Sequence, residues 1–261
     1  MRLKYLVTSL LASFIVGMLT GPGYAKIDPQ HVMGMWLFEV DGDVGRDSSE
    51  NGNDGNVEGD PEWTEDGKFG GGLRFDAVDD VIKVPMTVDY DEITVMVWAM
   101  EEGSPVRPRI VSNDHTDVSM KGFQLMYNTA GSGSWFDVGD GARRVGASFA
   151  YTAAIGEWYH FTGTYDGSTV RAYIDGEVMA EAGGLSDPIA DSGIDVHIGT
   201  STYAFSDALK GVLDEVAIFN KALTESEIQE IMADGLEKAT GIAAVAPAGK
   251  LASTWGSIKG E

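Results

Sequence analysis

EWYHFTGTYDGSTVRAYIDGEVMAEA, residues Glu157–Ala182, holds three strand-like runs joined by two Asp-Gly turns, Asp166-Gly167 and Asp175-Gly176. Asp-Gly supplies the positive φ of tight hairpins, so the stretch reads as an antiparallel meander with its register fixed at both ends. In its middle strand Val170, Ala172 and Ile174 point one way, and Arg171 and Tyr173 the other. A sheet with one apolar face buries it against a second layer. The rest of the chain is expected to supply that layer.

Working outward, short apolar runs recur at the spacing of a sandwich. They are Met33–Val40, Gly70–Asp76, Asp79–Val84, Ile93–Met100, Arg109–Ser112, Gly122–Asn128, Ser134–Val138, Ile194–Gly199 and Leu209–Phe219. Residues 41–59, dense in Asp, Asn, Ser and Gly, read as a turn-rich loop; no D-x-D-x-D-G run with a Glu twelfth marks an EF-hand. One helix is expected after Thr224-Glu225-Ser226-Glu227, a capping box, with Ile228, Ile231 and Met232 as its apolar stripe and Gly235 as its stop. The fold class is thus all-β, a two-sheet antiparallel jellyroll sandwich with one short C-terminal helix packed at its edge.

The chain of 261 residues opens with Arg2 and Lys4, an apolar Leu6–Leu19 and a small-x-small Gly23-Tyr24-Ala25. This is the pattern of a secretory signal peptide, residues 1–25, to be kept out of fold reasoning. The domain is expected over 26–236, a length suited to one β-sandwich, with 237–261 an extended or loosely docked tail anchored by Trp255. Absence of cysteine excludes thiolate chemistry and disulfides. The net charge is −23, and losing Arg2 and Lys4 makes it −25. Such a field disfavours nucleic acid and suits hard cations, or serves solubility alone. After signal cleavage no membrane span is expected, and the location is secreted, extracellular or in the cell envelope.

Catalytic patterns are missing. There is no E-x-D-x-E carboxylate ladder, no HExxH and no G-x-S-x-G elbow. Asp214, read as sharing a face with Val212, Val216 and Ile218, is expected to be a structural buried carboxylate bonded to backbone amides, with metal ligation as the other reading. By alternation Glu215 should face the opposite side.

Separated motifs match one family in order: Trp36-x-Phe38-Glu39, Asp47-Ser48-Ser49, Gly67-Lys68-Phe69-Gly70 through Phe75-Asp76, Trp158-x-His160, Tyr165-Asp166-Gly167 and Gly211-x-Leu213-Asp214-Glu215-Val216. The chain resembles LamG-like jellyroll domains, relatives of laminin G and pentraxins in the concanavalin A-like lectin/glucanase superfamily. The resemblance implies a jellyroll used for glycan or protein binding, often with Ca2+ at one rim. The acidic pair Asp79 and Asp80 matches calcium ligands of that family; turn hydrogen bonds are the other reading. The partner loop, near Gly199–Thr202, carries no carboxylate here. The expected function is a secreted non-catalytic recognition module for carbohydrate or glycoprotein, with Tyr127, Trp135, Arg171, Tyr173 and Tyr203 as candidate contacts. The alternative is a structural or adhesive exoprotein meeting another envelope or extracellular protein.

Overall fold

The computed structural model describes residues 27–104, 107–114, 120–126, 135–185, 187–202 and 207–244. The expected signal peptide and most of the tail lie outside them. Fifteen strands form in chain order: β1 (Val32–Trp36), β2 (Asn56–Glu58), β3 (Glu62–Thr64), β4 (Gly72–Asp76), β5 (Val81–Val84), β6 (Ile93–Glu101), β7 (Arg109–Ser112), β8 (Lys121–Met126), β9 (Trp135–Asp140), β10 (Arg144–Ser148), β11 (Trp158–Tyr165), β12 (Thr169–Ile174), β13 (Glu177–Gly183), β14 (Val196–Ile198) and β15 (Lys210–Phe219). They make two antiparallel sheets. One has eight strands in the order β13-β12-β11-β6-β15-β4-β3, with β1 also on β15; the other has seven, β10-β9-β8-β7-β14-β5-β2.

The quoted ribbon is β11-β12-β13, as its turns dictate. Asp175 and Gly176 take φ of 49° and 75° at the second turn. At the first, the Asp166 carboxylate accepts from the amides of Ser168 and Thr169 (3.0 and 2.8 Å). Val170, Ala172 and Ile174 enter the core between the sheets, where they meet Phe123, Leu125, Phe136 and Val138 of the facing layer.

The turn-rich loop fastens the first strand. Asp47, 5% exposed, accepts from the amides of Met35 and Ser49 through Oδ1 and from Asn53 through Oδ2. Its backbone needs are met locally, which lets an irregular segment pack on a strand end.

The expected helix is α1 (Glu225–Asp234), with both arms of the Thr224–Glu227 capping box formed. Ile228 and Ile231 pack with Tyr173, Met96, Ala217 and Phe219 on the outer side of the eight-stranded sheet. Gly235 ends α1 and a second helix follows, α2 (Leu236–Thr240), with Leu236 and Ala239 buried. The beginning of the expected tail is therefore a docked helical turn. Among the described residues no helix is long and apolar enough to cross a membrane.

Alternation fails in β15, and this corrects one sequence reading. Register against β6 shifts between Asp214 and Ala217, and Glu215 takes φ 53°. The bulge inserts one extra residue. Val216 and Ile218 consequently turn into the inter-sheet core, while Asp214, paired with Trp98, stays outside. Glu215 reaches the α2 side with it, accepting from the Leu236 amide.

Candidate functional site

Antiparallel pairing puts directly opposed residues on one face, so a single row can be followed across the seven-stranded sheet. Register runs Asn56, Lys83, His197, Ser112, Gln124, Asp137, Gly146 from β2 to β10. Neighbours along each strand, such as Phe123, Leu125, Phe136 and Val138, fill the core. The row therefore belongs to the outer face. It is polar, yet much of it is buried: Gln124 and Asp137 are 2% exposed and Ser112 is 0%.

Two arginines organise this face. Arg109 donates from Nε to Gln124 Oε1 (3.0 Å) and pairs with Asp207. Gln124 in turn donates to Asp137 Oδ2 (2.5 Å). Arg144 donates from Nε to Asp137 Oδ1 (3.1 Å) and from Nη1 to the Lys121 carbonyl (2.8 Å). Its Nη1 also lies 3.2 Å from Asp114 Oδ2, an ion pair without hydrogen-bond alignment. Buried charges are tolerable when paired in this way.

Asp114 is the exception in the network. It is 0% exposed, and among the described residues neither carboxylate oxygen has an aligned hydrogen-bond donor. Burial pushes its carboxyl up to about 6, against the pull of Arg144 and with Asp137 adding repulsion. Burial raises Asp137 too, despite Arg144 and Gln124. Asn113 Nδ2 and Thr200 Oγ1 are likewise buried without hydrogen-bond partners among the described residues. The chain segments 115–119, 127–134 and 203–206, adjoining Asp114, Met126 and Thr202, lie outside the described residues.

The acidic turn between β4 and β5 is the second feature. Asp76, Asp79 and Asp80 bring ligand oxygens within 4.8 Å of one another. Asp80, 2% exposed, accepts from the Asp60 amide through Oδ1 (2.8 Å) and the Asp76 amide through Oδ2 (2.9 Å). Burial raises its pKa, and Asp76 and Asp79 add to the rise. Both sequence readings therefore meet here: Asp80 makes turn bonds, and exposed Asp76 and Asp79 crowd it with negative charge. All donors are hard oxygens, each with a free lone pair, as a divalent cation such as calcium or magnesium requires.

The other expected residues scatter. Tyr127 and Tyr203 lie outside the described residues, and Trp135 stands in β9 opposite Met126. Arg171, on the other sheet, pairs with Asp166 and Glu181. Tyr173 is 5% exposed in the apolar cluster beneath α1, so its ring is taken up by packing rather than offered to a sugar. Asp214 accepts from the amides of Phe69 and Glu215 (2.8 and 2.7 Å), fastening the Gly67–Gly71 loop. Sequence reasoning missed Arg109, Asp114, Gln124, Asp137 and Arg144. The available signal was a Gln between Phe123 and Leu125 and an Asp between Phe136 and Val138.

A family model described as the concanavalin A-like lectin/glucanases superfamily matches residues 76–229, more than half of the chain. Among solved structures, domain 4 of AbnA, an extracellular arabinanase of Geobacillus stearothermophilus in complex with arabinotriose, superposes with a TM-score of 0.65 at 18% identity, covering 77% of this chain and 98% of that one. The binding domain of Paraclostridial Mosquitocidal Protein 1 gives a TM-score of 0.63 at 14% identity, covering 78% of this chain and 52% of that one. Pappalysin-1 of Mus musculus is 23% identical over 194 residues, 68% of this chain; the chain spans 12% of that protein's length.

Proposed function

Because the chain belongs to the concanavalin A-like lectin/glucanases superfamily, we propose that it is a non-catalytic recognition module that binds carbohydrate or glycoprotein outside the cell. The binding surface is the outer face of the seven-stranded sheet around Asp114, Asp137 and Arg144. The observation that carries this reading is Asp114, a fully buried carboxylate that has the Arg144 ion pair on one oxygen and no aligned hydrogen-bond donor on either among the described residues. An orphaned buried acceptor costs about 1–3 kcal/mol, and sugar hydroxyls are donors of the right kind. Domain 4 of AbnA, of similar fold, is described in complex with arabinotriose, which supports testing arabino-oligosaccharides first. Arg144 serves both Asp114 and Asp137, so these carboxylates act as its counter-ions rather than as an acid and a nucleophile.

Calcium at Asp76, Asp79 and Asp80 belongs to the same proposal. The cation would offset the repulsion among three carboxylates that form no ion pair among the described residues. The domain is read as 26–236, behind a signal peptide over 1–25 and ahead of a tail over 237–261.

A glycan array probed with the chain, with and without chelator, tests the reading. Binding that Asp114→Ala abolishes supports it; an array silent for both proteins sinks it. The adhesive alternative then gains weight, through the edge strand β13, where Val178 and Met179 are 39% and 38% exposed.

A further inference from the structure

The bonded charges on the outer face of the seven-stranded sheet do not cancel. Asp114, Asp137 and Asp207 supply three carboxylates, and Arg109 and Arg144 supply two guanidiniums. Burial lifts the Asp114 carboxyl only to about 6, so it is ionised at neutral pH. Elsewhere along the same row Lys83 is matched by Glu58. His197, whose Nδ1 lies 3.4 Å from the Ser201 carbonyl, is held neutral by burial. The adjoining segments 115–119, 127–134 and 203–206 contain no lysine or arginine. One negative charge is left over, and it falls where hydrogen bonding is also incomplete. Asp114 is 0% exposed with no aligned donor on either oxygen among the described residues. A buried charge in that condition favours a donor of opposite sign.

The ligand class follows from what this face can and cannot receive. Arg144 spends Nε and Nη2 on Asp137 and Nη1 on the Lys121 carbonyl. Arg109 is engaged by Gln124 and Asp207. A uronic acid or a sulfated sugar would bring its anion against Asp114 and Asp137 with both guanidiniums already occupied. A neutral sugar hydroxyl supplies one donor and no charge. An ammonium supplies three donors and the missing charge, in a head compact enough for a sheltered carboxylate. Resting on the reading of this face as a sugar site, we propose that its ligand is an amino sugar with a free amine, whose ammonium seats on Asp114.

Titration calorimetry of the full chain with matched trisaccharides tests this. The glucosamine trisaccharide should bind about tenfold more tightly than its N-acetylated form or arabinotriose, because a hydrogen bond to a charged group outweighs a neutral one by that order. A galacturonic acid trisaccharide should not bind. Trilysine, with the same number of ammonium groups and no sugar, separates the site from the general field of a chain of net charge −23. It should bind at least about tenfold more weakly than the amino sugar. Trilysine binding as tightly would assign the face to a basic protein partner and overturn the proposal. Asp114→Asn keeps the shape and removes the charge, so the glucosamine and N-acetylglucosamine affinities should converge; a preference that persists in this variant contradicts the seat on Asp114. Neutral sugars that bind the unaltered chain as tightly as the amine overturn the amine and leave the sugar reading standing. Silence from every sugar removes both.

Discussion

Gly163 of β11 lies directly under the Phe136 ring of β9: a Cβ at Gly163 would stand 2.0 Å from Phe136 Cγ. The two residues belong to different sheets, so this contact sets the spacing of the layers at that point. Gly163→Ala must push the ring or separate the sheets. Overpacking of this kind costs about 1–3 kcal/mol, or roughly 2–10 °C in Tm for a domain of this size. Calorimetry should show the loss, and Phe136→Leu should restore part of it in the double variant. A Gly163→Ala chain as stable as the parent would place the sheets further apart than described.

Asp214 carries a pH dependence with a definite sign. Burial pushes its carboxyl up to about 8, against the two backbone amides that it accepts from. The unfolded chain releases that proton near pH 4. Between about pH 4 and pH 8 the native state therefore holds a proton that the unfolded state has given up, and stability falls as pH rises, by at most about 1.4 kcal/mol per unit. Asp214→Asn keeps an acceptor for Phe69 and removes the titration, so the slope of Tm against pH should flatten. Asp214→Ala should instead lose stability at every pH, because it orphans amides. Identical slopes for Asn and parent would assign the titration elsewhere, to Glu215 or Asp114, which burial also raises.

Much of the sandwich was readable from the chain because its signals are local. Asp-Gly turns write β11 to β13, and Thr224 with Glu227 writes α1. What escaped was set by tertiary contacts. Strand β10, RVGAS, has little strand character of its own and exists by pairing with β9. Gln124 and Asp137 occupy outward positions, which a sequence reader assigns to solvent; in the fold Arg109 and Arg144 reach in from other strands to bond them. The Asp214–Glu215 bulge defeats any argument from alternation, since no residue nearby announces the extra insertion. Asp79 and Asp80 were legible as an acidic turn, and Asp76 joins them within that turn, where its amide donates to Asp80.

Calcium should raise Tm. A ligand held by the folded state alone adds about 2.7 kcal/mol at a hundredfold excess over Kd, or roughly 5–10 °C here. Asp76→Asn with Asp79→Asn should remove the shift with little other effect, because both side chains are exposed. Asp80→Asn is the wrong probe, since it disturbs the turn bonds to Asp60 and Asp76. A shift that survives the Asp76, Asp79 double variant moves the ion to another part of the molecule.

Arg144 is the group on which the polar face turns. It pairs with both Asp114 and Asp137, which are 0% and 2% exposed. Arg144→Met leaves two buried carboxylates with Arg109 alone to oppose their charge, and breaking buried pairs of this kind costs about 3–5 kcal/mol at neutral pH. Both carboxyls already sit above their ordinary range through burial, and removing Arg144 raises them further. Protonation then relieves the defect, so urea unfolding of the variant should approach the parent's as pH falls toward about 4. Arg144→Lys keeps the charge but not the planar fork that reaches Asp137 and the Lys121 carbonyl together, so it should lie between the two. Losses of equal size at neutral and acid pH would show that Arg144 contributes packing rather than charge, and the binding face would lose its electrostatic basis.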